Sequence, residues 1–499
     1  MRVIQDHRAR PNGLAGGESA SDESASGESA SAVAERLLVS EGAQYALVEI
    51  AQQAIALLAL PVLLYFLTFD EFGVVTAAVV AAQIALSFGS AGLDLSVMRL
   101  YLRWTDGESV SRVAGILALT CAWSAALAAT AWFMPWPRAL EPRVPLVIGC
   151  WAGLLLAIRS IPLAVLRVRG SLGGYAVVMV GGSIAQAVAE VGLVGLGFGA
   201  AGYMAGYALG AGLSTVLAIA LVRDRLVAQP HEWCVPSDVR SFALNVWPSV
   251  LGNRLLLVAD RIVLAGAGSL DTLGVYGAAS RLTTPVKLLS GGFKLALSPA
   301  LSRGEAQRVR QDLLLLRLGH FIVIGMLFVG ALLALCVWFA HLTPWAERSV
   351  ELQRIVGLLL LAQFLSGLAF LGQVSFYYSA NPRRATVVAF VSAAALVVGL
   401  ATLVRSWGGT GAAIAQVASG VCGFLAVAVL SARDPGATAP WGRLLVATSS
   451  FVPCLLSVWL LGLPGQLLVV SATLVAYGVS MLVLARRLWT GQPVARFAS

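Results

Sequence analysis

Ionic side chains stand inside long apolar stretches of this chain: Glu49, Arg159, Glu190, Arg254, Asp260, Arg261, Arg281, Lys287 and Lys294. A charge at the centre of a bilayer costs about 2.5–3.5 kcal/mol on insertion scales, so such groups usually face a bundle interior or an aqueous cavity. The cations Arg159, Arg254, Arg261, Arg281, Lys287 and Lys294 are candidate substrate-binding residues. Guanidinium grips phosphate through two parallel hydrogen bonds, and ammonium acts as a point charge. At about 100° per residue, Thr284, Lys287, Gly291, Lys294 and Ser298 fall on one helix stripe, and Arg254 and Arg261 share a face. Together they predict a cationic wall lining a path for an anionic cargo, whereas a cavity for cationic drugs would be acidic or aromatic. A second reading stands beside this one for Arg159, Arg281 and Lys294, whose long side chains can snorkel to the interface. The carboxylates Glu49, Asp260 and Glu190 are the candidates for carrying a proton or Na⁺. Asp260 also reads as a neutraliser of a nearby arginine, and Glu190 as a protonated or paired packing residue.

The elements that must position these groups are membrane helices. Apolar residues make up 58% of the 499 and charged residues 12%, against roughly 25% charged in soluble domains. A crossing needs about 20 mostly apolar residues, and the chain offers about fourteen such blocks. They include Gln44–Phe66, Gly73–Leu93, Val144–Leu166, Tyr175–Phe198, Phe242–Ala267, Gly274–Leu301 and Leu313–Phe339. Arginines such as Arg103, Arg112, Arg167, Arg169, Arg223, Arg303 and Arg383 follow even-numbered spans, and few follow odd ones. The positive-inside rule then places both termini in the cytoplasm. The net charge of +9 is therefore a topology signal and not a nucleic-acid footprint.

No phosphate-cradling GxxxxGK[ST], HExxH or GxSxG occurs, so nothing marks a nucleotide-driven pump or a hydrolase. The six cysteines are scattered without CxxC pairs, which predicts neither a disulfide framework nor a metal centre. No cofactor is expected. Residues 1–36, with "GESASDESASGESASA", carry too little apolar content to fold and read as a disordered cytoplasmic tail.

An internal repeat organises the rest. "FGVVTAAVVAAQIALSFGSAGLDLSVMRLYLR" from Phe72 matches "LGVYGAASRLTTPVKLLSGGFKLALSPALSR" from Leu273, with Gly73 on Gly274 and Ala77–Ala78 on Ala278–Ala279. A weaker echo sets Phe198–Gly210 against Gly408–Gly420. The offset of six spans keeps both copies in one orientation, which implies two bundles related by an axis along the membrane normal. The expected fold is all-α and polytopic: six-helix bundles over 37–225 and 238–432, then two helices and a tail over 433–499.

The stretch "ADRIVLAGAGS", the short loop to "LGVYGAASRL", the closing "LSPALSR", and "FGSAGLDLSVMRLYLR" ending the second span resemble the oligosaccharide flippases of the multidrug/oligosaccharidyl-lipid/polysaccharide exporter superfamily. The resemblance covers nearly the whole chain past the tail. It implies two lobes open alternately to either side, in a bacterial inner membrane. It also implies flipping of a polyprenyl-pyrophosphate-linked glycan to the outer leaflet for O-antigen, capsule or exopolysaccharide assembly. Glycan polymerases and glycosyltransferases are then the expected partners, beside membrane lipids. Related peptidoglycan-precursor flippases use their last two helices as a lipid-tail groove. They carry a basic residue in the first span, where this chain has Glu49. A multidrug exporter on the same scaffold is the alternative. A membrane glycan polymerase would need a large outer loop with acidic or His catalysts, and the longest outer connection, around His341–Arg354, is short.

Overall fold

The computed structural model describes residues 44–45, 47–104, 106–133, 143–225, 235–267, 269–284, 347–377 and 383–432. Every regular element among them is helical: α1 (Leu47–Phe66), α2 (Phe69–Ser90), α3 (Leu93–Leu100), α4 (Asp106–Phe133), α5 (Arg143–Val168), α6 (Leu172–Ala176), α7 (Gly182–Leu193), α8 (Gly199–Leu221), α9 (Ser237–Ala267), α10 (Leu270–Leu282), α11 (Ser349–Tyr377) and α12 (Arg383–Ala432). π-helical turns at Val177–Gly181 and Val194–Phe198 join α6, α7 and α8. The expected tail over 1–36, the span over Leu313–Phe339, the two helices expected over 433–499, and Lys287 and Lys294 lie outside the described residues.

Seven helical runs among the described residues are long and apolar enough to cross a membrane. Two of them, Leu172–Leu221 and Thr386–Leu430, span 50 and 45 residues, far beyond the roughly 30 Å hydrocarbon core at about 1.5 Å per residue. Each folds back on itself at a glycine. Gly199 (φ 52, ψ −138) and Gly408 (φ 52, ψ −128) take nearly the same left-handed backbone conformation, which a Cβ would oppose. The arms behind each corner run antiparallel: Gly206 lies on Glu190 and Gly210 on Gln186, and Ser419 Oγ donates to Ser392 O at 2.8 Å. α9 and α10 are outside the seven runs: α10 has only 13 residues, and α9 carries Asp238, Arg240, Arg254, Asp260 and Arg261.

α2 begins at Phe69, four residues before the apolar block predicts. Asp70 and Glu71 read as loop by hydropathy, yet they form its first turn. Thr68 Oγ1 accepts from Glu71 N while the Glu71 carboxylate accepts from Thr68 N at 2.9 Å, a capping box that satisfies two otherwise orphaned donors.

The repeat register appears directly in the packing. α1 ends at Phe66 and α9 at Ala267, and Thr68 and Ser269 cap the helices that follow. All these positions pair at an offset of 201 residues. α2 and α10 cross reciprocally: a Cβ on Gly73 would stand 2.0 Å from Leu270 O, and one on Gly274 would stand 2.0 Å from Phe69 O. One on Gly277 would stand 2.0 Å from Thr76 Oγ1. Residue i meeting j while the equivalent of j meets that of i is the signature of a two-fold contact. At the opposite end of α2 the halves touch again through α9. Trp247 Nε1 donates to Ser87 O at 3.1 Å, its ring meets Phe88 edge-on at 5.5 Å, and Arg99 lies 4.6 Å above the Phe242 ring. Buried Leu60, Leu63, Phe72, Leu264 and Tyr276 fill one shared core between the halves.

Candidate substrate cavity

Between the two contacts lies a cavity of about 280 Å³, with walls from α1, α2, α5, α7, α8 and α10. α5 contributes Arg159. Its Nη1 donates to Ser214 Oγ at 2.9 Å, and its Nε is buried with no hydrogen-bond partner. α10 contributes Arg281, which donates to the Tyr203 hydroxyl and lies 5.2 Å from the Phe72 ring centroid and 5.0 Å from that of Tyr203. Guanidinium over aromatic faces is an attractive arrangement that grows stronger away from water. α7 contributes Glu190, 3% exposed, whose Oε1 accepts from Gln186 Nε2 at 2.8 Å. Carboxamides complete the wall: Gln52 and Gln53 on α1, Gln83 on α2 and Gln186 on α7. Tyr203 and Tyr207, one turn apart on α8, and Thr284 at the end of α10 also line it.

The predicted site residues separate into groups. Arg159 and Arg281 line the cavity with Glu190. Arg254 is exposed, and its Nη1 donates to Gln83 Oε1 at 2.9 Å, so it reaches a cavity residue across from α9. Arg261 donates to Ser280 Oγ and does not line this cavity. Asp260 is 3% exposed and fully engaged: its Oδ2 accepts from Tyr276 OH at 2.5 Å and Gln416 Nε2 at 3.3 Å, and its Oδ1 from Arg261 N at 2.8 Å. Among the described residues it therefore bonds a tyrosine, an amide and its neighbour's backbone, and no arginine side chain. Glu49 pairs with Arg167 at 2.8 Å and accepts from Tyr175 OH at 3.3 Å, away from the cavity.

Several contributors escape a reading based on charge. The glutamines are uncharged, and only their occurrence inside apolar spans, with Gln186 one turn before Glu190, signals them. Asp94, in the stretch that ends the second span, has a buried Oδ1 with no hydrogen-bond partner, and so has the Nε of Arg167. At the glycine-crossing end, Arg348 donates to Glu351 at 2.8 Å and to Asp271. The bond to Glu351 holds its guanidinium pKa above the ordinary value.

Among the described residues, apolar helical runs gathered around an ionic cavity have the architecture of a polytopic membrane protein. The same fold is found in solved structures. The chain superposes on the lipid II flippase MurJ in an inward closed conformation with TM-score 0.67 at 13% identity, covering 89% of this chain and 99% of that one. An inward-facing multidrug resistance MATE family transporter of the MOP superfamily matches with TM-score 0.55 at 14% identity, over 78% of this chain and 96% of that one. The Vibrio cholerae MATE transporter VcmN matches with TM-score 0.53 at 12% identity, over 82% and 100%. No family model matches the sequence, and no curated protein matches it. At these identities the likeness is one of fold.

Proposed function

We propose that this chain is a flippase that moves a polyprenyl-pyrophosphate-linked oligosaccharide from the inner to the outer leaflet by alternating access. The destination is O-antigen, capsule or exopolysaccharide assembly in a bacterial inner membrane. The observation that carries the reading is the cavity wall: two guanidiniums against one carboxylate, with four carboxamides between them. Cations suit an anionic head group, and amides both donate to and accept from sugar hydroxyls. The lobes are 37–225 and 238–432, both termini face the cytoplasm, and the helices of 433–499 accompany the lipid tail. Polymerases and glycosyltransferases supply and consume the cargo, and the chain itself performs no chemistry on it. Ion coupling runs through Glu190, since Glu49 and Asp260 are held by partners outside the cavity.

The test is reconstitution. A fluorescent polyprenyl-pyrophosphate-linked oligosaccharide is incorporated with the purified chain in liposomes, and its arrival in the far leaflet is read with an impermeant glycosidase. Losing a charge-assisted contact is worth about 1.5–3 kcal/mol, so Arg159→Ala and Arg281→Ala should each slow flipping roughly ten- to hundredfold. A wild-type rate equal to that of protein-free liposomes rejects the proposal. The buried Glu190 beside Tyr203 and Tyr207 favours a second reading, export of cationic drugs. Uptake of ethidium by inverted vesicles, lost in Glu190→Gln, would select it.

A further inference from the structure

The two cavity arginines are in unequal electrostatic states. Arg281 is compensated: Tyr203 accepts its hydrogen bond, two rings flank it, and Glu190 lies close enough to act on it electrostatically. Arg159 has no carboxylate partner among the described residues. Its one hydrogen bond goes to the neutral Ser214 hydroxyl, and its Nε is buried without any. A buried donor on a cation left without an acceptor is costly, and the arrangement gains most when an anion fills the gap. Among the described residues no further cation lines the cavity. Over the described residues its formal balance is therefore one uncompensated positive charge, located at Arg159.

The remaining wall is built for hydroxyls. Gln52, Gln53, Gln83 and Gln186 bring uncharged amide donors and acceptors to it, although one Gln186 donor already serves Glu190 and the Gln83 oxygen already accepts from Arg254. The volume, about 280 Å³, lies just below the roughly 300–1,000 Å³ of pockets for drug-sized ligands. A pyrophosphate, with two or more charges on adjacent phosphorus centres, is over-charged for one free guanidinium and makes poor use of four amides. A sugar bearing a single acidic group matches both features.

Resting on the flippase reading, we propose that the cavity is a glycan subsite in which Arg159 anchors one acidic group, a carboxylate or a phosphate ester, on a sugar residue. The pyrophosphate of the carrier lies outside this subsite. Arg159 is then the residue that selects acidic over neutral repeat units.

The experiment uses the purified full-length chain and four soluble probes in titration calorimetry: cellobiouronic acid, cellobiose, glucose 1-phosphate and inorganic pyrophosphate. At least one acidic sugar should bind tenfold or more tightly than cellobiose. Arg159→Gln should remove that advantage, Arg159→Lys should keep part of it, and pyrophosphate should bind Arg159→Gln and wild type alike. The acidic sugar that loses more in Arg159→Gln identifies the source, uronate or phosphate ester. The wild-type comparison needs no variant, so it stands even where a substitution impairs folding. Equal binding of acidic and neutral sugars, no binding by any probe, or pyrophosphate binding that falls with Arg159→Gln overturns the subsite. Flipping of lipid-linked glycans with and without a uronate separates the two levels. Equal flipping of both sinks the subsite and leaves the flippase, whereas flipping of neither sinks the flippase.

Discussion

A methyl group added at the α2–α10 crossing should part the two halves at that end. The Cβ of Gly73→Ala would stand 2.0 Å from Leu270 O, and that of Gly274→Ala 2.0 Å from Phe69 O. Even a favourable carbon–oxygen contact needs about 3.3–3.6 Å, so the two backbones must part by more than about 1 Å. Backbone atoms on both sides leave no flexible side chain to absorb the shift. Overpacking of this kind costs about 1–3 kcal/mol. If the state open at this end relieves it, the equilibrium between states moves roughly 5- to 150-fold. Spin labels at Phe66→Cys and Val350→Cys, exposed positions on α1 and α11, report the separation of the two halves by pulsed electron resonance. Gly73→Ala and Gly274→Ala should each transfer population to the longer distance. Because the two sites share one interface, the double variant should fall short of the summed effect. Gly192→Ala, where a Cβ meets nothing within 4 Å, is the control and should leave the distribution unchanged. If both crossing variants give the wild-type distribution, the glycines do not hold this end shut.

The same physics sets other expectations. Asp260→Asn replaces one of two accepting oxygens with an amide donor, so the bonds from Tyr276 and Gln416 to Oδ2 and from Arg261 N to Oδ1 cannot all survive; the stability loss should be about 1–3 kcal/mol, read as a lower midpoint in fluorescence-detected thermal unfolding, with flipping per folded molecule retained. Glu49→Gln breaks an ion pair whose side chains are 31% and 36% exposed, so the same measurement should move by less than about 1 kcal/mol. Arg254→Ala removes one exposed contact to Gln83 and should slow flipping less than Arg159→Ala does; a larger loss would place Arg254 in direct contact with cargo.

Helix existence was legible because apolar length alone determines it, and the repeat was legible because a close crossing demands glycine at both Gly73 and Gly274. The start of α2 escapes a hydropathy reading, since a first turn holding Asp70 and Glu71 behind the Thr68 cap resembles a loop. The site was only half legible. Periodicity places Arg254 and Arg261 on one face of α9 but cannot say which neighbour each turn meets. Arg254 meets α2 through Gln83, and two turns later Arg261 meets α10 through Ser280. The cavity is an inter-helix property, assembled from residues on six helices, and no spacing within one helix announces that Gln52 shares a cavity with Arg159 and Arg281.

The two-fold relation of the halves has a consequence for how cargo sits. A strictly symmetric vestibule would offer every ligand two poses of equal energy, related by half a turn about the membrane normal. At the 201-residue offset, Arg281 corresponds to Val80, Tyr276 to Val75 and Asp260 to Ala59. The groups that bind charge therefore exist in one copy only, while the capping residues and crossing glycines exist in two. Symmetry is kept where the halves must separate and rejoin, and is erased where something must be held. A wall polarised in this way gives a bound molecule one orientation and leaves the pose related by half a turn unoccupied.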